Sequence, residues 1–195
     1  SCTRQSTSAQ CGCSAAPPPE RSTVHYASSA VDPVTLHVSI DRPREEVFAY
    51  LSDVANHPEF TDHFLKSWRL TREDSTGRGA GARYKQDARF DRFGSYALSL
   101  AEVDPPYRII AVGRGGKYNR IKTFHQWTLE PNAGGTRLEY VYETEPPLPT
   151  DRIVETLSGR RGWFRRNGAK ALRRLRSILE ENRDRGARAT IAGLD

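Results

Sequence analysis

The sequence predicts an α+β fold in which an antiparallel sheet packs against one long C-terminal helix, with two short helices after the first strand. Two observations predict this fold. Seven segments have strand character, and short turns of Gly, Pro, Asn and Asp separate the last six, which is typical of antiparallel neighbours. An amphipathic stretch of about thirty residues follows the last strand, and its apolar face needs a sheet to cover.

The first strand and the two short helices are predicted from local patterns. Strict alternation of apolar and polar residues over 34–40 is typical of a half-buried strand. Asp41 and Pro43 then provide a capping carboxylate and a first-turn proline for a helix. Residues 53–57 interrupt this helix, and a second short helix is expected over residues 58–64.

The remaining strands are separated by turn residues. They are expected at residues 67–73, 82–90, 95–104, 108–113, 121–130 and 136–145. Alternation is clearest in the second of these six, where Tyr84, Gln86, Ala88 and Phe90 share one face and charged residues take the other. We expect the apolar face to point inward.

The chain after the last strand is predicted to be helical to about Glu181. Thr150 and Asp151 are suitable N-terminal caps, and an apolar stripe follows them with a spacing of three and four. The stripe consists of Leu157, Phe164, Gly168, Ala171, Leu172, Leu175 and Leu179. Gly159 and Gly162 weaken the helix, so we expect a bend or a break near them.

Length and composition fit one domain. The chain has 195 residues, of which 36% are hydrophobic, and no apolar run approaches the roughly 18 to 20 residues of a membrane span. Residues 1–31 are rich in Ser, Ala and Pro and poor in hydrophobes, so we expect a disordered tail. The folded domain is expected over residues 32–183, and residues 184–195 are expected to be frayed.

All three cysteines, Cys2, Cys11 and Cys13, lie in the N-terminal tail. The domain therefore has no cysteine for a disulfide, and the three cysteines lack the further Cys or His partners of a structural zinc site. No charged segment followed by an apolar segment remains at the start, which favours a cytoplasmic protein. An exported or lipid-anchored start is the alternative, because Cys2 follows a small residue.

Four segments carry a resemblance to known proteins. They are DRPREEVF at 41–48, DVANHPEF at 53–60, VDPPYR at 103–108, and WTLEP with GTRL at 127–138. Together they resemble the START-like helix-grip (SRPBCC) superfamily, and in particular its polyketide cyclase/dehydrase branch. The resemblance implies a curved antiparallel sheet of about seven strands wrapped around the C-terminal helix. It also implies a cavity, because sheet and helix do not collapse fully on each other in that fold.

Alternation along the strands predicts the lining of this cavity. The inward side chains are mostly aromatic with a few polar tips, which suits an apolar, ring-containing ligand with one or two hydrogen-bonding groups. The expected ligand-binding residues are Tyr84, Gln86, Phe90, Tyr96, Leu98, His125, Trp127, Tyr140, Tyr142, Phe164, Ala171 and Leu175. In the strand 108–113, either Ile109 with Ala111 or Ile110 with Val112 can face inward.

His125 is the candidate for acid–base catalysis, because imidazole titrates near neutral pH. A histidine that only holds its neighbours by hydrogen bonds is the alternative. Gln86 and the tyrosine hydroxyls would orient a ligand carbonyl or phenol, or would bond to backbone or buried water instead. His57 and His63 lack acidic residues placed as metal ligands, so neither a metal site nor a cofactor is predicted.

Positive charge is concentrated near the C-terminus. Residues 151–188 contain twelve Lys or Arg and five Asp or Glu, whereas the net charge of the whole chain is +6. The basic residues of the last helix are Arg160, Arg161, Arg165, Arg166, Lys170, Arg173, Arg174 and Arg176. They predict a solvated outer face, with weak contact to an anionic membrane as the alternative. A nucleic-acid partner is not predicted, because no groove-reading element accompanies them.

With the resemblance, the sequence predicts a monomer or dimer that binds a small hydrophobic ligand, lipid-like or polyketide-like, between sheet and helix. The first alternative is a polyketide cyclase/dehydrase-type enzyme acting on a ligand in the same cavity. The second is a peripheral lipid-transfer or anionic-membrane-sensing protein.

Overall fold

The computed structural model describes residues 33–87, 94–145 and 159–194. The strands are β1 (Val34–Ile40), β2 (Leu65–Leu70), β3 (Gly81–Gln86), β4 (Ser95–Asp104), β5 (Arg108–Gly115), β6 (Ile121–Asn132) and β7 (Gly135–Glu145). The α-helices are α1 (Arg44–Ser52), α2 (His57–Thr61) and α3 (Arg160–Glu181). The strands form one antiparallel sheet in the order β1-β7-β6-β5-β4-β3-β2. The sheet curls into a half-barrel around α3, so the predicted helix-grip fold is confirmed.

Strand β2 departs from simple alternation. Its predicted range began at residue 67, whereas the strand begins at Leu65. Ser67 has a φ of 54° and the register with β3 shifts between Lys66 and Arg69. This bulge inserts an extra residue, so that Leu65 and Trp68 both point inward although they are three positions apart.

Strand β5 resolves the open choice of inward face. Ile109 and Ala111 are fully buried, whereas 41% of Val112 is exposed. Ile109 and Ala111 therefore face the core, and Val112 lies on the outer face of the sheet.

Helix α3 packs its apolar stripe against the sheet and α2. The buried residues of the stripe are Phe164, Gly168, Ala171, Leu172, Leu175, Ile178 and Leu179. A Cβ on Gly168 would lie 2.6 Å from Leu36 Cδ1, so the helix approaches β1 very closely at this point. Gly159, with a φ of 66°, precedes the first helical residue, while Thr150, Asp151 and Leu157 lie outside the described residues. Within the described ranges, no helix is long and apolar enough to cross a membrane.

The chain beyond α3 returns along α2. Fraying was expected here, but Gly186 N–H donates to Glu59 O (3.1 Å) and Ala189 N–H donates to Ala55 O (2.9 Å). Leu70 N–H donates to Thr190 O at 2.9 Å, and Ala189 is buried. Backbone hydrogen bonds thus hold this segment on the domain, and no side-chain pattern in the sequence predicts them.

Candidate functional site

The inner face of the sheet is lined by rings that pair across neighbouring strands. Tyr84 is paired with Tyr96, and Trp127 with Tyr140, because these residues are opposite each other in the register. The ring centroids of the two pairs are 5.9 and 5.2 Å apart. Helix α3 adds Phe164, whose ring stacks on Tyr142 with a centroid distance of 3.8 Å. The aromatic lining therefore follows from strand parity and register.

All the predicted ligand-binding residues that the structure describes are buried. Phe90 lies outside the described residues. Seven of the others surround a common cavity between sheet and helix: Tyr84, Leu98, His125, Trp127, Tyr140, Phe164 and Ala171. Gln86, Tyr96, Tyr142 and Leu175 are buried without lining this cavity.

The cavity has a volume of about 40 Å³, so most of the expected hollow is filled by its own rings. This is room for about one water molecule or one small polar group of a ligand. Sequence reasoning missed a second part of the lining. These residues are His57, Phe60, Thr61, Phe64, Leu65, Trp68, Gly168 and Leu172. The apolar stripe of α3 had marked the last two, whereas the bulge in β2 hid Trp68.

His125 is buried in the cavity wall. Its Nδ1 atom lies 2.8 Å from the hydroxyl oxygen of Tyr140, and its Nε2 atom has no hydrogen-bond partner among the described residues. Burial, with a smaller contribution from the neighbouring His57, lowers the pKa of His125 from 6.5 to about 3. The imidazole is therefore neutral at physiological pH.

The hydrogen bond to Tyr140 favours one tautomer of His125. If Nδ1–H donated, the Tyr140 hydroxyl hydrogen would have no acceptor among the described residues, and Nε2 would also be unpaired. If Tyr140 donates to Nδ1, the Nε2–H of His125 is the one group of this pair that has no partner among the described residues. Because unpaired buried groups are costly, the second arrangement is favoured, and His125, which lines the cavity, carries an N–H donor on Nε2.

Trp68 supplies a second donor. Its indole Nε1–H is buried without a partner in the described part of the chain, and the residue lines the same cavity. His57 lies between the indoles of Trp68 and Trp127, at centroid distances of 6.2 and 5.4 Å. His57 Nε2 lies 2.8 Å from the carbonyl oxygen of Leu51 and donates to it. Burial lowers the pKa of His57, so this ring is also neutral.

A cluster of polar side chains lies on the inner face near the start of α3. Arg160 donates to Gln86 Oε1 (3.0 Å) and to the hydroxyl oxygen of Tyr96 (2.6 Å). Burial raises the pKa of Tyr142, whereas Arg160 and a hydrogen bond with Gln86 lower it. Arg160 thus points inward, although its sequence position grouped it with the outer basic face.

The other basic residues of α3 differ in their surroundings. Arg174 forms an ion pair with Asp62, and Arg176 lies 2.9 Å from Glu180. The exposed residues without an ion pair in the described part of the chain are Arg165, Arg166, Lys170 and Arg173. We call these four residues the basic stripe.

A buried carboxylate lies outside the cavity, beneath the C-terminal segment. Glu59 is fully buried and accepts a hydrogen bond of 2.6 Å from the Tyr50 hydroxyl. Arg185 and Arg188 lie 3.4 and 4.0 Å from its two oxygens. Burial and the Glu59 carboxylate both raise the pKa of Tyr50. These contacts hold the C-terminal segment on α2. In the described ranges, no three His, Cys, Asp or Glu residues are grouped as metal ligands.

A curled antiparallel sheet closed over one long helix, with a cavity between them, defines the helix-grip class of proteins. The family described as polyketide cyclase/dehydrase and lipid transport matches residues 33–180, so the chain belongs to this family. Family and fold fit a ligand-binding domain. No curated protein sequence matches the chain significantly.

Solved structures share the fold at low sequence identity. TTHA0849 from Thermus thermophilus is 15% identical, with a TM-score of 0.60, and covers 76% of this chain and 97% of its own. The KanY protein is 17% identical with the same TM-score and the same coverage. Truncated norcoclaurine synthase from Thalictrum flavum is 14% identical, with a TM-score of 0.57, and covers 80% of this chain and 98% of its own. At these identities the likeness shows the fold alone.

Proposed function

We propose that the domain binds a small, largely apolar molecule that carries a hydrogen-bond acceptor, in the cavity between the sheet and α3. The observation that carries this proposal is the pair of buried donors, His125 Nε2–H and Trp68 Nε1–H. Neither has a partner in the described residues, and both belong to residues that line one cavity. Leaving a buried donor unpaired costs about 1–3 kcal/mol. A carbonyl or ether oxygen of a ligand would recover that cost.

The aromatic lining supports an apolar body for the ligand. Rings such as Trp127 and Tyr140 offer flat surfaces on which another ring can stack. Because the volume is about 40 Å³, a whole ring system enters only if side chains or α3 move outward. The family description names cyclases, dehydrases and lipid transport, all of which require space for a ligand.

The test uses two probes of one shape, 2-acetylnaphthalene and 2-ethylnaphthalene, which differ by a carbonyl oxygen. Calorimetric titration should show about tenfold tighter binding of the ketone, because it pairs a buried donor. Trp68→Phe removes one donor and keeps an aromatic ring, so it should reduce the preference for the ketone. Native mass spectrometry of freshly purified protein would identify a co-purified ligand.

A matched pair of variants locates the binding site. Ala171 is buried and lines the cavity, whereas its neighbour Lys170 is exposed. Ala171→Leu should abolish binding of both probes, and Lys170→Leu should leave it unchanged. If the wild-type protein binds neither probe and carries no ligand, the proposal fails.

An enzymatic function is the second candidate, and the tautomer of His125 favours one role within it. With a pKa of about 3, the imidazole is a weak base at neutral pH. Its Nε2–H can instead donate a hydrogen bond to a ligand carbonyl oxygen and so promote enolisation, in which the α-proton passes to water. Exchange of the methyl hydrogens of 2-acetylnaphthalene in D₂O, followed by NMR, tests this role. Exchange no faster than in buffer, or equally fast with His125→Phe, would eliminate it.

A further inference from the structure

A larger hollow lies on the opposite, outer face of the sheet. Outward-facing residues of β3 to β7 surround a groove of about 800 Å³. This volume is within the roughly 300–1,000 Å³ that is typical of small-molecule sites. The groove shares its strands with the inner cavity but is lined chiefly by the alternate residues, and Leu98 is the one described residue that lines both.

The strand register places two arginines on either side of an alanine. Arg83 is opposite Ala97, and Ala97 is opposite Arg114. Two strand spacings therefore separate the arginines, about 10 Å between their Cα atoms. Both side chains are exposed, and neither has an ion pair in the described residues. The next cation in this row, Lys122, is already paired with Glu145 at 3.1 Å.

In the neighbouring row of the same face, Val112 and Phe124 form a short apolar strip, which Ser99 and the carboxylate of Glu143 flank. Val112 is opposite Phe124 in the register, and both line the groove. Val112 is 41% exposed, which is a large fraction for an aliphatic side chain of a central strand. An apolar strip thus lies next to two cations that have no ion-pair partner in the described part of the chain.

We propose that this outer groove binds an anionic amphiphile, a small molecule with a sulfonate, carboxylate or phosphate group between Arg83 and Arg114. Its apolar body would lie over Val112 and Phe124. Guanidinium groups bind such oxyanions through charge-assisted hydrogen bonds, which gives the groove its charge complementarity. Residues 1–32 supply no net negative charge for these arginines, because they carry two basic side chains, Arg4 and Arg21, and two acidic ones, Glu20 and Asp32.

Two related probes separate this groove from the inner cavity. They are 8-anilinonaphthalene-1-sulfonate and its neutral counterpart N-phenyl-1-naphthylamine, which lacks the sulfonate. In fluorescence titrations of the full chain, the double variant Arg83→Gln/Arg114→Gln should weaken sulfonate binding at least tenfold. Binding of the neutral probe should not change. Arg137→Gln serves as the control, because Arg137 is exposed on β7 and does not line the groove.

Each remaining outcome has a defined meaning. Sulfonate binding that survives the double variant, or that is abolished by Ala171→Leu, would overturn the proposal. Amide NMR shifts induced by the sulfonate should centre on Ala97 and Val112, and shifts centred on Gly168 would also overturn it. The double variant could also change the sedimentation coefficient and leave sulfonate binding unchanged. That result would overturn the proposal and assign the groove to contact with a second copy of the chain. If the wild-type protein binds the sulfonate but not the neutral probe, the proposal for the inner cavity is refuted and the proposal for the outer groove stands.

Discussion

The two faces of the sheet differ in how they use the same strands. On the inner face, aromatic rings stack on one another and leave a cavity of about 40 Å³, and two of the residues that line it, His125 and Trp68, have a donor without a partner in the described residues. On the outer face, a groove of about 800 Å³ exposes arginines beside an apolar strip. The difference teaches that the volume expected between sheet and helix in this fold can be filled by the protein's own side chains. Because successive side chains of a strand point to opposite faces, the residues of the outer face can change without changing those of the inner face.

The largest expected difference between the faces is in stability. Phe164 is buried and stacks on Tyr142, so Phe164→Ala should lower the free energy of unfolding by about 3–5 kcal/mol. Val112→Ala removes a half-exposed side chain from the outer face and should cost less than about 1 kcal/mol. Urea denaturation of both variants measures the contrast. Equal losses would mean that the outer strip is part of the core.

The inner face should also make stability depend on pH. Burial lowers the pKa of His125 from 6.5 to about 3, so the unfolded chain binds more protons than the folded one between these values. Stability is therefore complete above pH 6.5 and falls as the pH is lowered through this window, by about 1.4 kcal/mol per pH unit. Between pH 6.5 and 4.5 the expected loss is about 2 kcal/mol from His125, and His57 adds to it.

His125→Phe is the variant that isolates this effect. It lowers stability at pH 7 by leaving the Tyr140 hydroxyl unpaired, but it should flatten the decline in unfolding free energy below pH 6.5. Urea titrations at several pH values measure the slope. A variant with the wild-type slope would show that His125 does not titrate as its burial requires.

Substitutions at two glycines, Gly168 and Gly162, allow the buried and exposed sides of α3 to be compared. A Cβ on Gly168 would lie 2.6 Å from Leu36, whereas a Cβ on Gly162 meets nothing within 4 Å. Gly162→Ala should stabilise the protein by about 0.5–1 kcal/mol, because alanine is the better helix former. Gly168→Ala has the same propensity gain but must displace Leu36, so a net loss of about 1 kcal/mol is expected. Thermal unfolding of the pair measures the difference, and a Gly168→Ala protein as stable as Gly162→Ala would contradict this close approach.

The fold was predictable because its signals are local. Alternation gave the bounds of β1 and β4 correctly, and the three-to-four spacing gave the buried stripe of α3. The bulge at Ser67 was not predictable, because one extra residue leaves no compositional mark. The docking of the C-terminal segment was missed for a similar reason, since it depends on backbone hydrogen bonds and on the distant carboxylate of Glu59.

The candidate site was predictable in its lining but not in its volume. Parity identified the inward rings, such as Tyr84 and Trp127, but parity says nothing of how completely rings fill the space between them. The inward turn of Arg160 was also missed, because its partners Gln86 and Tyr96 are far away in sequence. The outer groove had no sequence signal, since it depends on which residues are opposite one another across five strands.

The smallest expected effect on stability concerns the basic stripe, Arg165, Arg166, Lys170 and Arg173. Because these exposed side chains have no ion pair in the described residues, replacing all four by Gln should change the unfolding free energy by less than about 0.5 kcal/mol.

The same variant should lose binding to vesicles with 30% phosphatidylserine at low salt. Wild-type binding should itself vanish by about 0.2 M salt, since a few exposed cations are screened there. Arg174→Gln is the matched control on this helix: it breaks the ion pair with Asp62 and lowers stability, yet should leave vesicle binding unchanged. Vesicle binding that persists above 0.2 M salt in the wild type would instead require an apolar or specific membrane contact, and would favour a peripheral lipid-transfer protein over a ligand-binding domain whose outer helix is merely solvated.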